Sequence, residues 1–352
     1  MDLESLVDKA RESKLFTAPI LGPHLSRFME SQGELLRRLA AGATEGGVEH
    51  IYWVGAGNSW TNLYSGKYLM DRLCGVPSDC LTSHELVARS PMRLNRKAWV
   101  FLASFSGATE DTVEALRFAN ARGAHTIALV DEADSLMGRE AKETIAYNSK
   151  ALYIMPLAAA CMFAAELGRM KGHPEAQAIL KGMQTLPALL SRQYVDEEAP
   201  ARKLAEQFVT ENLFYVLGTG PLYGLAYKFG LTVFMENMRV NGSFVDTPEW
   251  RHGPVEALAR DKPVMVFLKG TDESRPMVER VLSTVREAGA RVIVYDLADY
   301  PGVHPMLAPF ALMIPLQWFA VYSSLLRGID DLDERVYMGK GILGKGAGIK
   351  WP

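Results

Sequence analysis

Near the middle of the second half of the chain, "TPEWRHGP" places Glu249, Arg251 and His252 within four residues and closes with Gly253–Pro254. A carboxylate, a guanidinium and an imidazole so close together suit acid–base work on a charged substrate. Taken alone, the same residues also fit a solvated turn, so the surroundings have to decide. Upstream, "GLTVFMENMRVNG" reads as an apolar helix with one carboxylate, Glu236, amid Phe234, Met235 and Met238. A carboxylate in apolar surroundings holds its proton to higher pH and suits a base working near neutrality. The alternative is that Glu236 lies on the solvated side of its helix.

A second cluster sits in the first half. "ASFSGATEDT" supplies Ser104, Ser106, Thr109 and Thr112 between the apolar run "AWVFL" and a helical pattern. A strand-to-helix turn rich in hydroxyls suits an anion, because the first N–H groups of a helix are unpaired and point outward. Gly107 would let the backbone approach a ligand. Plain N-capping by Ser106 or Thr109 explains one hydroxyl of the set and remains the alternative. No Gly-Lys-Thr follows, so the loop is not a nucleoside-triphosphate P-loop. "VGAGNSW" ends another apolar run with Gly55, Gly57, Asn58 and Ser59, positions that could join the same anion site. Trp60 stands where a dinucleotide-binding loop needs its third glycine.

The elements that must position these residues form an internal repeat. "IYWVGAG" matches "FYVLGTG", "AWVFLASFSG" matches "KPVMVFLKGT", and "ARGAHTIALVD" matches "EAGARVIVYDL", in one order and at a near-constant offset of about 164 residues. That period is far longer than a solenoid repeat and indicates a duplicated domain. Short Val/Ile-rich runs alternating with helical patterns such as residues 109–123 predict α/β units, each a doubly wound, mostly parallel sheet whose ligands lie at the carboxyl ends of the strands. The expected organisation is a helical lead (1–40), a first domain (41–170), a helical linker (171–194), a second domain (195–330) and a tail (331–352).

Composition narrows the function. The chain has 352 residues, 48 % hydrophobic and 22 % charged, with a net charge of -3. No basic block points to nucleic acid or a membrane surface. Cys74, Cys80 and Cys161 form no metal or redox motif, which fits a reducing compartment. The start, "MDLESLVDKARES", lacks a signal-peptide pattern, and a cytoplasmic location is expected. Two apolar stretches, 151–168 and 305–322, carry prolines and lack basic flanks; they are expected as buried helices rather than membrane spans. His84 follows a strand pattern but stands alone.

"GAGNS" followed by "SFSGATEDT" resembles the SIS (sugar isomerase) domain family. In that family the residues matching Ser59, Ser104, Ser106 and Thr109 hold the phosphate of a phosphosugar. Phe105 departs from the polar residue that some members carry. Glu236 precedes His252 by sixteen residues, and this spacing and "EWRHGPVEAL" resemble the Amadori-product deglycases that act on fructoselysine 6-phosphate and the isomerase domain of glucosamine-6-phosphate synthase. The resemblance implies Glu236 and His252 as catalytic residues, with Glu249 orienting His252 or meeting a cationic amine, and Arg251 as a further contact or a solvated neighbour. It also implies a phosphorylated sugar-amine substrate, no metal or redox cofactor, and an active site shared between the subunits of a homodimer. Thr247–Pro248 replaces the usual Ser-Gly. The synthase's C-terminal lysine falls on Gly339, with Lys340 one residue away. An aldose–ketose isomerase, an aminosugar-phosphate deaminase and a non-catalytic phosphosugar-binding regulator remain as alternatives.

Overall fold

The computed structural model describes residues 2–337. Two parallel sheets carry the architecture. The first contains β1 (His50–Gly55), β2 (Ser78–Thr82), β3 (Ala98–Ala103), β4 (His125–Val130) and β5 (Glu143–Ala146) in the order β2-β1-β3-β4-β5. The second contains β6 (Leu213–Gly218), β7 (Asn241–Asp246), β8 (Val264–Lys269) and β9 (Val292–Asp296) in the order β7-β6-β8-β9. All neighbouring strands pair in parallel. The repeat seen in the sequence is therefore a repeat of topology: β1, β3 and β4 correspond to β6, β8 and β9. The third residue of each Gly-x-Gly also takes a positive φ, +51° at Gly57 and +58° at Gly220.

Side chains alternate across each pleated strand, and the burial follows. Trp53 and Phe101 face a core that includes Phe163 on the helix Met155–Met170, while Tyr52, Val54, Val100 and Leu102 face Val113 and Leu116 on the helix Glu110–Ala121. In the second sheet Phe214, Val216 and Val266 join the core of Trp53 and Phe101, so both sheets share one apolar interior. Leu217, Met265 and Phe267 point to the opposite face and pack against Val278, Val281 and Leu282 of the helix Arg275–Glu287.

Both apolar stretches are core helices. Met155–Met170 is buried along nearly its whole length. Pro305–Leu326 is long and apolar enough to cross a membrane by composition, and its apolar window is 100 % buried inside the protein. The N-terminal lead holds a short helix, Leu3–Arg11, and a long one, Ala18–Glu45, and three helices, Ala176–Met183, Leu186–Asp196 and Glu198–Gln207, connect the two sheets. All three cysteines are free. Lys340 and Gly339 lie outside the described residues.

Candidate active site

In the first sheet the strand order reverses between β1 and β3, where open parallel sheets bind their ligands. Gly55 pairs with Ala103, so the loops that follow leave the sheet side by side. One loop leads into the helix Asn58–Leu73, with Ser59 in its first turn. The other carries Ser104, Ser106 and Thr109 into Glu110–Ala121. Two helix N-termini and four hydroxyl residues thus follow neighbouring strand ends, an arrangement favourable to an anion.

The hydroxyls do little capping. Thr109 stands at the N-cap position, yet its side chain makes no cap bond. Its hydroxyl instead meets that of Ser104 at 2.7 Å. Ser106 accepts a 3.3 Å bond from the Ala108 N–H. Thr112, deeper in the helix, is fully buried and bonds Ser83 at 2.9 Å, which makes it a structural residue. Gly107 has φ +60°, and a Cβ there would lie 2.2 Å from Ser135 Oγ. Packing and backbone therefore both demand glycine at 107, whatever binds. At Gly55 a Cβ would come within 2.9 Å of the Trp60 amide, so strand and helix start also approach closely there.

Glu236 lies on Lys228–Met238, a segment wound as a wide π-helix that leads from β6 to β7. Such windings are rare and recur at functional sites. This helix docks onto the first domain through side chains one turn apart. Lys228 Nζ is buried and donates to Asn62 Oδ1 and, at 3.1 Å, to the Tyr153 carbonyl. Burial pushes the Lys228 pKa well below the usual lysine range. Thr232 Oγ1 donates to Asn58 Oδ1 at 2.9 Å, beside Ser59. Glu236 follows a turn later. Tyr153, buried in the first domain, has its phenol pKa raised by burial and further by the nearby Glu236 charge. The Glu236 helix is thus pinned to the loop that carries Ser59.

Glu236 is not enclosed by apolar side chains as its sequence neighbours suggest. It is half-buried, and Arg335 Nη2 donates to its Oε2 at 3.3 Å. Arg335 arrives on the segment that follows the last core helix. Asp333 anchors that segment, accepting from Ser13 Oγ at 2.7 Å and from the Lys14 amide at 3.0 Å. Sequence reading missed Arg335, which stands in the stretch "DLDERVY" (331–337). Long-range contact from a chain end leaves no local pattern.

His252 lies elsewhere. Phe234, two residues from Glu236, packs on Phe214 on one face of the second sheet, with ring centroids 5.6 Å apart. Trp250, two residues from His252, is buried with Leu217, Met265 and Phe267 on the opposite face. The segments that carry Glu236 and His252 therefore pack on opposite faces of the second sheet within one chain. His252, Arg251 and Glu249 are exposed. Arg251 Nε donates to His252 Nε2 at 3.3 Å, and the Glu249 carbonyl accepts from the His252 amide at 3.0 Å. Glu249 touches His252 through backbone rather than through its carboxylate. Thr247 is fully buried under this segment and Pro248 opens its 3₁₀ turn. His84 is exposed at the start of the helix Ser83–Arg89. Among the described residues no group of His, Cys, Asp or Glu side chains is arranged to hold a metal ion.

Comparison with known proteins bears on the family and the fold. Residues 47–165 match the model of the SIS domain, and residues 197–336 match that of the bacterial phospho-glucose isomerase C-terminal SIS domain. The chain is 31 % identical over 294 residues to the fructoselysine 6-phosphate deglycase of Escherichia coli K12, covering 83 % of this chain and 86 % of the relative. It is 29 % identical over 304 residues to the fructosamine deglycase FrlB of Bacillus subtilis, covering 83 % and 92 %. The C-terminal domain of glucosamine-fructose-6-phosphate aminotransferase from Francisella tularensis shares the fold, with a TM-score of 0.77 at 18 % identity, covering 90 % and 97 %.

Proposed function

The chain belongs to the SIS domain family and is an enzyme of its phosphosugar deglycase and isomerase type; from that premise we propose that it cleaves a 6-phosphorylated fructosyl-amino acid into glucose 6-phosphate and the free amino acid. The observation that carries the reading is the pinning of the Glu236 helix to the hydroxyl crevice through Thr232 and Asn58. A phosphate held by Ser59, Ser104, Ser106 and Thr109 then fixes one end of the sugar. Glu236, a helical turn beyond, reaches the other end. Such positioning lowers a barrier by several kcal/mol, up to about 7–11 in the best cases.

The chemistry follows from two carbons. His252 opens the sugar ring as acid or base. Glu236 removes a proton from C1, the C1–C2 double bond forms, and the C2 carbonyl oxygen takes up a proton to give an enaminol. Glu236 returns the proton to C2, leaving an imine at C1. Water adds to C1, the C1–N bond breaks, and the nitrogen leaves as the amine. Oxidation and reduction balance inside the sugar. Arg335 holds the Glu236 carboxylate in place between the two proton transfers.

Because the second sheet separates Glu236 from His252, a site using both takes His252 from a second copy of the chain. The exposure of His252 supports this: a reactive segment that its own subunit leaves open is available to a partner. Lysine, joined through its side-chain nitrogen, is the first amine to try. The reaction is assayed by mixing the protein with 6-phosphorylated fructosyl amino acids and following glucose 6-phosphate with a coupled dehydrogenase. Release from at least one member is expected. No release, with turnover of fructose 6-phosphate alone, would instead assign an aldose–ketose isomerase.

A further inference from the structure

We propose that the open cavity beside Glu236 is the subsite for the amino-acid part of the substrate, and that Arg239 recognises its carboxylate. This rests on the deglycase reading and adds to it the feature of the amine that is selected. The cavity has a volume of about 590 Å³, and Glu236, Met235, Arg239, Val240, Glu334 and Arg335 are among its walls. That volume suits a small organic group.

Position comes first. A base must stand within hydrogen-bond reach of the proton it removes, so C1, and the nitrogen on it, adjoin Glu236. The hydroxyl crevice is reached through Thr232 and Asn58, one turn back along the helix. Whatever C1 carries therefore extends away from the phosphate, into the cavity that Glu236 lines.

The walls match an amino acid. Large apolar side chains exposed among the described residues are Met92, Val195, Met235, Val336 and Tyr337, and the last three all border this cavity. Apolar exposure gathered at one site calls for an apolar cover, and an aliphatic stem lying over Met235 and Val240 supplies it. Charge of both signs stands at the edge: Arg239 Nη2 donates to Glu334 Oε2 at 3.0 Å. A zwitterion complements such a pair, its carboxylate meeting the guanidinium and its ammonium meeting Glu334. A guanidinium has five donors in a fork shaped for a carboxylate, and both bonds to Glu334 leave from Nη2.

The backbone adds an independent sign. Arg239 ends the Glu236 helix with φ +52° and ψ +39°, the left-handed region. Glycine takes that conformation without strain, whereas other residues hold it at a cost. An arginine kept there is consistent with a need for its side chain at the cavity.

The test compares two 6-phosphofructosyl conjugates, one of lysine through its side-chain nitrogen and one of 1,5-diaminopentane, which lacks only the carboxylate. Glucose 6-phosphate release gives kcat/KM for each, and calorimetry on the Glu236→Gln protein gives their binding. The unaltered protein should favour the lysine conjugate by about 10- to 100-fold, the worth of one charge-assisted contact. Arg239→Gly, which relaxes the backbone and so preserves the fold, should bring that ratio to about one. Arg239→Lys should restore part of it. No preference in the unaltered protein, or a preference that survives Arg239→Gly, overturns the subsite. If neither conjugate releases glucose 6-phosphate, the deglycase reading fails. The binding ratio, measured with and without Arg239→Gly, then decides the subsite by the same criterion.

Discussion

The separation of Glu236 from His252 by the second sheet makes a quantitative prediction about mixed dimers. Glu236→Gln and His252→Ala each remove one member of the proposed pair, so each homodimer should be nearly inactive. Co-expression with two affinity tags gives random assembly, and a two-fold symmetric dimer has two equivalent sites. In a mixed dimer with shared sites, one site combines both lesions and the other has neither. With equal expression about half the dimers are mixed, each with one intact site of two, so activity should return to about a quarter of the unaltered value. Isolating the mixed species with both tags should raise this to about half. The assay is glucose 6-phosphate release at saturating substrate, with each homodimer as background. If Glu236 and His252 served the same site from one chain, every site in the mixture would carry a lesion and no activity would return. That result would refute the shared site and require a rearrangement bringing His252 around the sheet.

Three further outcomes follow from the same geometry. Ser104→Ala combined with Ser106→Ala should weaken substrate binding by about 10²- to 10⁴-fold, read as a raised KM, since each of the two lost bonds to a charged phosphate is worth about 1.5–3 kcal/mol; unchanged saturation behaviour would reject the phosphate crevice. Gly107→Ala forces a left-handed alanine against Ser135 and should destabilise the fold by about 2–5 kcal/mol, read as a lower urea midpoint. Lys228 carries a pKa pushed down by burial, so between that depressed value and the ordinary lysine range the unfolded chain binds the extra proton. Stability should therefore rise with pH through that window and be lost as pH falls, with a slope of up to about 1.4 kcal/mol per pH unit. Lys228→Met should flatten this slope, and at the alkaline end it should cost about 1–3 kcal/mol for the acceptors left unpaired at Asn62 and Tyr153; parallel curves for the two proteins would contradict it.

Much of this was legible in the chain itself, for identifiable reasons. Gly57 and Gly220 mark equivalent turns because both must take positive φ, and a duplicated turn of that kind survives as a visible Gly-x-Gly. The hydroxyls from Ser104 to Thr109 were legible because their chemistry is local: the strand end, the loop and the helix start are contiguous. What escaped was tertiary. The sixteen-residue offset from Glu236 to His252 carries no position in space: the sharing of the site between subunits was an implication of the family resemblance alone, and only the fold puts Phe234 and Trp250 on opposite faces of one sheet. The apolar neighbours of Glu236 suggested a dry environment, yet Phe234 and Met238 point into the core while the carboxylate turns toward Arg335. Lys228 was not singled out in the sequence, and only the docking of its helix onto Asn62 shows why it is buried.

The most direct test of the account is turnover by Glu236→Gln on the 6-phosphofructosyl amino acid that the unaltered protein cleaves best. Removing a positioned proton-transfer group should lower kcat by about 10²- to 10⁴-fold. Substrate binding by calorimetry should stay close to that of the unaltered protein, because the hydroxyl crevice and the Asn58–Thr232 contact are untouched. Near-normal release of glucose 6-phosphate by Glu236→Gln would contradict the central claim that this carboxylate moves the proton between C1 and C2.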